Sequence, residues 1–270
     1  MRVDLPSVSL SILEEVKQLT GKPVLVQYCG DLEVGYAKTK IARKRMTSHI
    51  ILVSKKYAQH RGYLVAHECG HILRVFATPE EKRKVPIMTE QTRRYAIEQM
   101  QSDIHRLARV MPEQLLTQML QLWCDGLVTQ VTSQPADVMI ENWIYHEHPD
   151  LRLDQKKILD LMHREAAAAL RKEIAQLTPT KVYAASLTMN YAFFGALDEL
   201  LGTSYLEQFK SCKYAAEGER LKEMLLRESW DTLEGDIAMS NAWAEALGIS
   251  GWFEWTDFEN LPANYLDDSS

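Results

Sequence analysis

Apolar and polar positions along this chain follow two different periods. Near the start, Ile12, Leu13, Val16 and Leu19 recur at helical spacing, with Ser11 and Glu14 as a capping box and Gly21 and Pro23 as the stop. The pattern then shortens. Val24–Tyr28, a Gly30-Asp31 turn and Glu33–Ala37 read as a β-hairpin, and Ile50-Ile51-Leu52-Val53 as a further short strand. Ser54–Gln59 leads into a helix around His67, and Thr78–Pro86 reads as a charged linker. From Gln91 onward the helical period dominates. It predicts helices over 91–110, 113–131, 136–147, 153–176, 181–201 and 214–229, with Pro112, Pro135, Pro149 and Pro179 between them. The expected fold is α+β, mostly α: a small N-terminal sheet packed on the His67 helix, then a helical subdomain. Its segments are 1–77, 78–149 and 150–270.

Composition narrows the class. At 270 residues, 46% hydrophobic and 25% charged, the chain is that of an ordinary globular protein. A net charge of -6 argues against a nucleic-acid surface. The basic runs Lys38–Arg45 and Lys82–Lys84 read as solvated faces or loops. No apolar run suggests a signal peptide or a membrane span. Cys29, Cys69, Cys124 and Cys212 are scattered with no C-x-x-C pair, as expected of free thiols in a reducing cytosol.

The chemistry centres on His67-Glu68-Cys69-Gly70-His71, an H-E-x-x-H string within Tyr63-Leu64-Val65-Ala66 and Ile72-Leu73. On a helix, residues i and i+4 share a face, so His67 and His71 can hold one metal ion. Glu68 lies about 100° round from His67, within reach of a water at that metal. Two imidazoles and a carboxylate base are the parts of a zinc hydrolase. Buried among apolar residues they would be costly without a partner, and a metal supplies one. Cys69 points about 200° from His67 and reads as a small core residue.

A catalytic zinc takes three protein ligands and keeps one position open. A third histidine six residues on is absent, since position 77 is Ala. The third ligand is therefore sought on a later helix, among Glu98, Asp103, Glu141, His146 and His148. Glu141 ranks first, because Val138, Ile140 and Ile144 imply a buried helix on which a carboxylate wants a cation. Asp137, one turn earlier, can orient a ligand histidine through its other ring nitrogen. Tyr145, His146, His148 and Arg152 are possible donors to the oxyanion formed in hydrolysis. Trp230, Trp243, Trp252, Phe253, Trp255 and Phe258 are expected to dock the C-terminal part on the helical core.

Residues 23–76 resemble the ImmA/IrrE-type regulatory metallopeptidases, in which a small hairpin sheet precedes an H-E-x-G-H-type helix. Ile50-Ile51-Leu52-Val53 and Ala66–Leu73 carry the likeness, and the H-E-x-x-H helix with a distant carboxylate resembles gluzincins more broadly. In the regulatory family a glutamate follows some thirty residues after the helix, where this chain has Glu98–His105. The resemblance implies a zincin with Zn2+ as cofactor.

The expected function is that of a cytoplasmic zinc endopeptidase acting on one or a few specific, regulatory proteins. Glu68 is its base, and His67, His71 and Glu141 its ligands. The substrate is expected as a strand added to the sheet edge, with no nucleic acid and no membrane involved, and a regulatory protein as a further partner. The rival expectation is a non-enzymatic helical interaction protein whose zinc site is structural or vestigial, closed by a fourth ligand such as His146 or His148.

Overall fold

The computed structural model describes residues 4–30, 35–227 and 232–261. Helix α1 spans Ser7–Thr20 and starts behind Pro6, not at Ser11. Pro6 has extended geometry and its carbonyl accepts the first helical bond, from Leu10 N at 3.1 Å, so the Ser11–Glu14 pair lies inside the helix and caps nothing. Gly21 ends the helix in the left-handed region at φ 70°, where a side chain would be strained.

Strands β1 (Val24–Cys29), β2 (Ala37–Lys40) and β3 (His49–Ser54) form one sheet in the order β1-β3-β2. The expected hairpin is therefore not formed. β3 lies between the other two, parallel to β1 and antiparallel to β2. Its buried face explains the central place: His49, Ile51 and Val53 are all fully buried. Asp31, Glu33 and Val34 of the expected turn and second strand lie outside the described residues.

A 3-10 stretch, Lys55–His60, leads into α2 (Arg61–Phe76). The expected linker contains a strand, β4 (Lys84–Ile87), which pairs antiparallel with β5 (Glu254–Asp257) near the other end of the chain. Sequence distance hid this pairing, since neither four-residue strand has a partner nearby. Helices α3 (Glu90–Gln99) and α4 (Gln101–Leu107) replace one expected helix, broken at Met100. In contrast α5 (Glu113–Glu147) is one helix of 35 residues that runs through Pro135. Proline removes one backbone bond there, and burial of Val131, Pro135, Ala136 and Val138 around it offsets the loss. Helices α6 (Arg152–Ala168), α7 (Lys172–Leu177), α8 (Thr180–Leu201), α9 (Ala215–Leu226) and α10 (Leu233–Leu247) complete the chain. The sequence pattern had not marked α10.

Two cores result. The smaller joins α1, the sheet and α2 to Ile140 and Ile144 of α5 and to Ile158 of α6. The larger gathers the first part of α5 with α8, α9 and α10, and takes in Trp243, Trp252 and Phe253 as expected of the aromatic C-terminal part. Trp230 lies outside the described residues. Because α5 enters both cores, they do not follow the segment boundaries read from sequence. Among the described residues no helix is long and apolar enough to cross a membrane.

Candidate metal centre

Helix α2 is buried on almost every side. Tyr63, Leu64, Val65, Ala66, Cys69 and Ile72 all fall in the smaller core. Burial pushes the Cys69 thiol well above its usual range, as suits a core residue. The face carrying His67 and His71 meets the second half of α5. Gly70 sets how closely: a Cβ there would lie 2.8 Å from Ile140 Cγ2, so only glycine lets the two helices approach this far. The approach brings two α5 carboxylates, Asp137 and Glu141, to the histidines.

His67 Nε2 and His71 Nε2 lie 3.5 and 3.1 Å from the same atom, Asp137 Oδ1. Among the described residues these three side chains are the group whose donor atoms converge, all within 4.8 Å of one another. Nitrogen and oxygen ligands at 2.0–2.1 Å from a tetrahedral zinc stand about 3.3 Å apart, between the two measured separations. Two imidazole nitrogens and a carboxylate oxygen at this spacing could hold a divalent metal ion, zinc among them. Burial opposes charge on Asp137, but hydrogen bonds from His67 and His71 hold its carboxyl well below the usual range. Burial likewise disfavours a charged His67, yet Asp137 and Glu141, one at each ring nitrogen, raise its pKa well above the ordinary value. The proton so held at Nε2 is the one a metal cation replaces.

Glu141, expected as the third ligand, has a different place. Its Oε1 accepts from His67 Nδ1 at 2.8 Å and from the Tyr63 hydroxyl at 2.5 Å. Its Oε2 accepts from Gln155 Nε2 at 2.7 Å. Both oxygens are thus engaged by the protein, and the side chain is 1% exposed. Asp137, expected to orient a histidine, is instead the carboxylate that joins both Nε2 atoms, and it is 15% exposed. The geometry thus places Asp137, not Glu141, with the two Nε2 atoms. Burial alone did not distinguish them, because the more buried carboxylate is the one whose oxygens the protein already engages. Glu141 holds the imidazole at Nδ1, which fixes the ring and leaves Nε2 facing Asp137 and His71.

Glu68 lies beside this group, 8% exposed. Burial raises its pKa, His71 and His67 counter that, and the nearby backbone of Thr39 in β2 also lowers it. Glu68 therefore lies near both histidines and near β2.

The other expected residues do not join the site. Glu98 is exposed on α3. Asp103 caps α8, accepting from Thr180 N at 2.7 Å, and pairs with Arg106 at 2.9 Å. Tyr145 lies under the Arg152 guanidinium, His146 is exposed against Tyr145, and His148 packs edge-on to Trp143. Tyr63 and Gln155 were missed. Tyr63 had a signal, since it stands four residues before His67 on the same face. Gln155 had none. One turn beyond His71, Arg74 forms a bidentate pair with Asp236 of α10, at 2.8 Å from Nε and 2.5 Å from a terminal nitrogen. That pair ties α10, near the other end of the chain, to α2. No protein-family model matches the chain, and no curated protein or solved structure matches it.

Proposed function

We propose that this protein is a zinc-dependent endopeptidase of zincin type, acting on one or a few specific, regulatory proteins of the cytosol. The observation that carries this reading is the convergence of His67, His71 and Asp137 with Glu68 alongside. Bound there, zinc supplies Lewis acidity, which acidifies water and polarises a carbonyl oxygen. The chain's own residues do the rest. His67 and His71 offer Nε2, and Asp137 offers Oδ1. Glu141 fixes the His67 ring through Nδ1, and Tyr63 and Gln155 fix Glu141. The Glu68 carboxylate takes a proton from water as the water oxygen attacks the peptide carbon. It then gives that proton to the amine nitrogen as the C–N bond breaks. A pKa raised by burial suits a group that must hold the proton between those moments.

The position of β2 supports an extended peptide as substrate. Among the described residues it is an edge strand, and the backbone of its Thr39 lies near Glu68. A strand added there runs past the base. The four free cysteines accord with a reducing compartment. The rival reading, a closed structural zinc in an interaction protein, draws less support, because His146 and His148 have their contacts elsewhere.

The test combines metal analysis with Glu68→Gln. The parent protein is expected to carry about one zinc per chain and to cleave members of a panel of unfolded polypeptides. Glu68→Gln is expected to keep the zinc and lose roughly 10²-fold or more in cleavage rate. A parent without zinc, or a Glu68→Gln variant as active as the parent, overturns the reading.

A further inference from the structure

We propose that the cleft between α8, α9 and the end of α10 binds a small amphipathic anion, a carboxylate carried on an apolar chain. The cleft shares no residue with the metal centre, and the inference does not rest on the endopeptidase reading.

Small side chains make the cleft. Along α8, Lys181, Ala184, Ala185 and Thr188 fall on one face, and along α9 so do Glu217, Arg220, Leu221 and Met224. Both faces line a space of about 640 Å³, and Leu247 of α10 lines it as well. Farther along α8 the two helices interlock, with the Tyr191 ring against Gly218 and the Lys222 stem against Gly195. At Ala184 and Ala185 the helix offers only methyl groups, and a hollow remains. A second hollow of about 380 Å³ adjoins the first, since Thr180, Lys213 and Tyr214 line both. Leu170, Tyr183 and Leu187 make the second one apolar. The first alone has the volume and the mainly apolar lining of a small-molecule site.

The charges choose among ligands. Three cations, Lys181, Lys213 and Arg220, line the cleft against two carboxylates, Asp103 and Glu217. Asp103 is already held, by Thr180 N and by Arg106. Lys181 Nζ donates to the Gly248 carbonyl at 2.9 Å, at the end of α10. Lys213 lies over the Tyr214 ring, and neither it nor Arg220 pairs with a carboxylate among the described residues. Both are exposed, above a floor that includes the buried Ala185 and Leu221. An amphipathic anion meets both parts. Its carboxylate takes charge-assisted hydrogen bonds from Lys213 and Arg220, and its chain covers the floor. A neutral amphiphile gains only the second, and a cationic one meets two like charges.

The test uses the full-length protein and three ten-carbon probes below their micellar concentrations: decanoate, decanol and decyltrimethylammonium. Isothermal titration calorimetry reads the affinities. Decanoate is expected to bind once per chain, about fivefold tighter than decanol, from two exposed ion pairs, with decyltrimethylammonium weakest. Lys213→Gln together with Arg220→Gln is expected to bring decanoate down to the affinity of decanol. Ala184→Phe fills the hollow and is expected to weaken both by about tenfold. Lys213 and Arg220 are exposed, so the charge comparison decides the matter even if Ala184→Phe does not fold. No decanoate binding, equal affinity for decanoate and decanol, a preference that survives the double substitution, or many equivalents bound per chain overturns the proposal. So does undiminished binding in a folded Ala184→Phe protein. None of these outcomes involves zinc, so each leaves the endopeptidase reading as it stands.

Discussion

Asp137 and Glu141 stand one turn apart on α5 and grip the same imidazole from opposite nitrogens. Asp137 faces His67 Nε2 at 3.5 Å, and Glu141 holds Nδ1 at 2.8 Å. Alanine at each position therefore gives unequal losses. Asp137→Ala removes a donor atom and is expected to abolish stoichiometric zinc, as are His67→Ala and His71→Ala. Glu141→Ala leaves the three donors and is expected to weaken zinc by about 10–100-fold. Competition with a chromogenic chelator measures both. Zinc lost with Glu141→Ala and kept with Asp137→Ala would restore Glu141 as the ligand.

Gly70 gives a second prediction. Alanine normally favours a helix over glycine by up to about 1 kcal/mol. Here its Cβ meets Ile140 at 2.8 Å, so Gly70→Ala is expected to destabilise by about 1–3 kcal/mol and to weaken zinc binding. Chemical denaturation and the chelator assay read the two effects. Adding Ile140→Val to Gly70→Ala should recover part of each, and an additive double variant would show that the contact does not set the helix spacing.

The Arg74–Asp236 pair is nearly buried, with side chains 12% and 7% exposed. Burial raises the Asp236 pKa, and Arg74 counters it. Asp236→Ala removes the bidentate partner of a nearly buried guanidinium and is expected to cost about 3–5 kcal/mol. Replacing both residues by Met and Leu should cost much less, because no charge is left unpaired. A double variant as unstable as Asp236→Ala would assign the loss to packing.

His49 supplies the pH dependence. It is fully buried in β3, its Nδ1 accepts from Ala42 N–H at 3.0 Å, and its Nε2 faces Thr20 Oγ1 at 3.1 Å. Burial, with a smaller contribution from Lys22, lowers its pKa from 6.5 to about 4. A depressed histidine pKa means that the unfolded chain binds the extra proton first. Its contribution to stability is complete above pH 6.5 and is lost as pH falls toward 4. Asn at this position keeps an acceptor for Ala42 N–H but cannot titrate. The Tm gap between the parent and His49→Asn should narrow steadily between neutral pH and about pH 4.5. A constant gap across that range would refute the assignment.

The H-E-x-x-H helix was legible because its signal is local: one period, one face, one apolar setting. The mostly helical class was legible for the same reason. What failed depended on contacts distant in sequence. The inserted place of β3 and the pairing of Lys84–Ile87 with Glu254–Asp257 leave no mark within either strand. Pro135 was read as a break because the burial that lets α5 continue comes from other helices. Asp137 and Glu141 were both singled out, but it is Asp137 whose carboxylate converges with both Nε2 atoms. Which carboxylate reaches both Nε2 atoms depends on the angle at which α5 crosses α2, and Gly70 and Ile140 set that contact.

At 35 residues α5 is about 52 Å long, and it is the strut that both cores share. At Pro135 the ring offers no amide to the Val131 carbonyl one turn earlier. The helix nevertheless runs on unbroken, and Asp137 follows two residues later. Asp137, Ile140 and Glu141 all belong to the stretch of it that meets α2. The clasp on His67 and His71 is thus fixed to the one strut that both cores share.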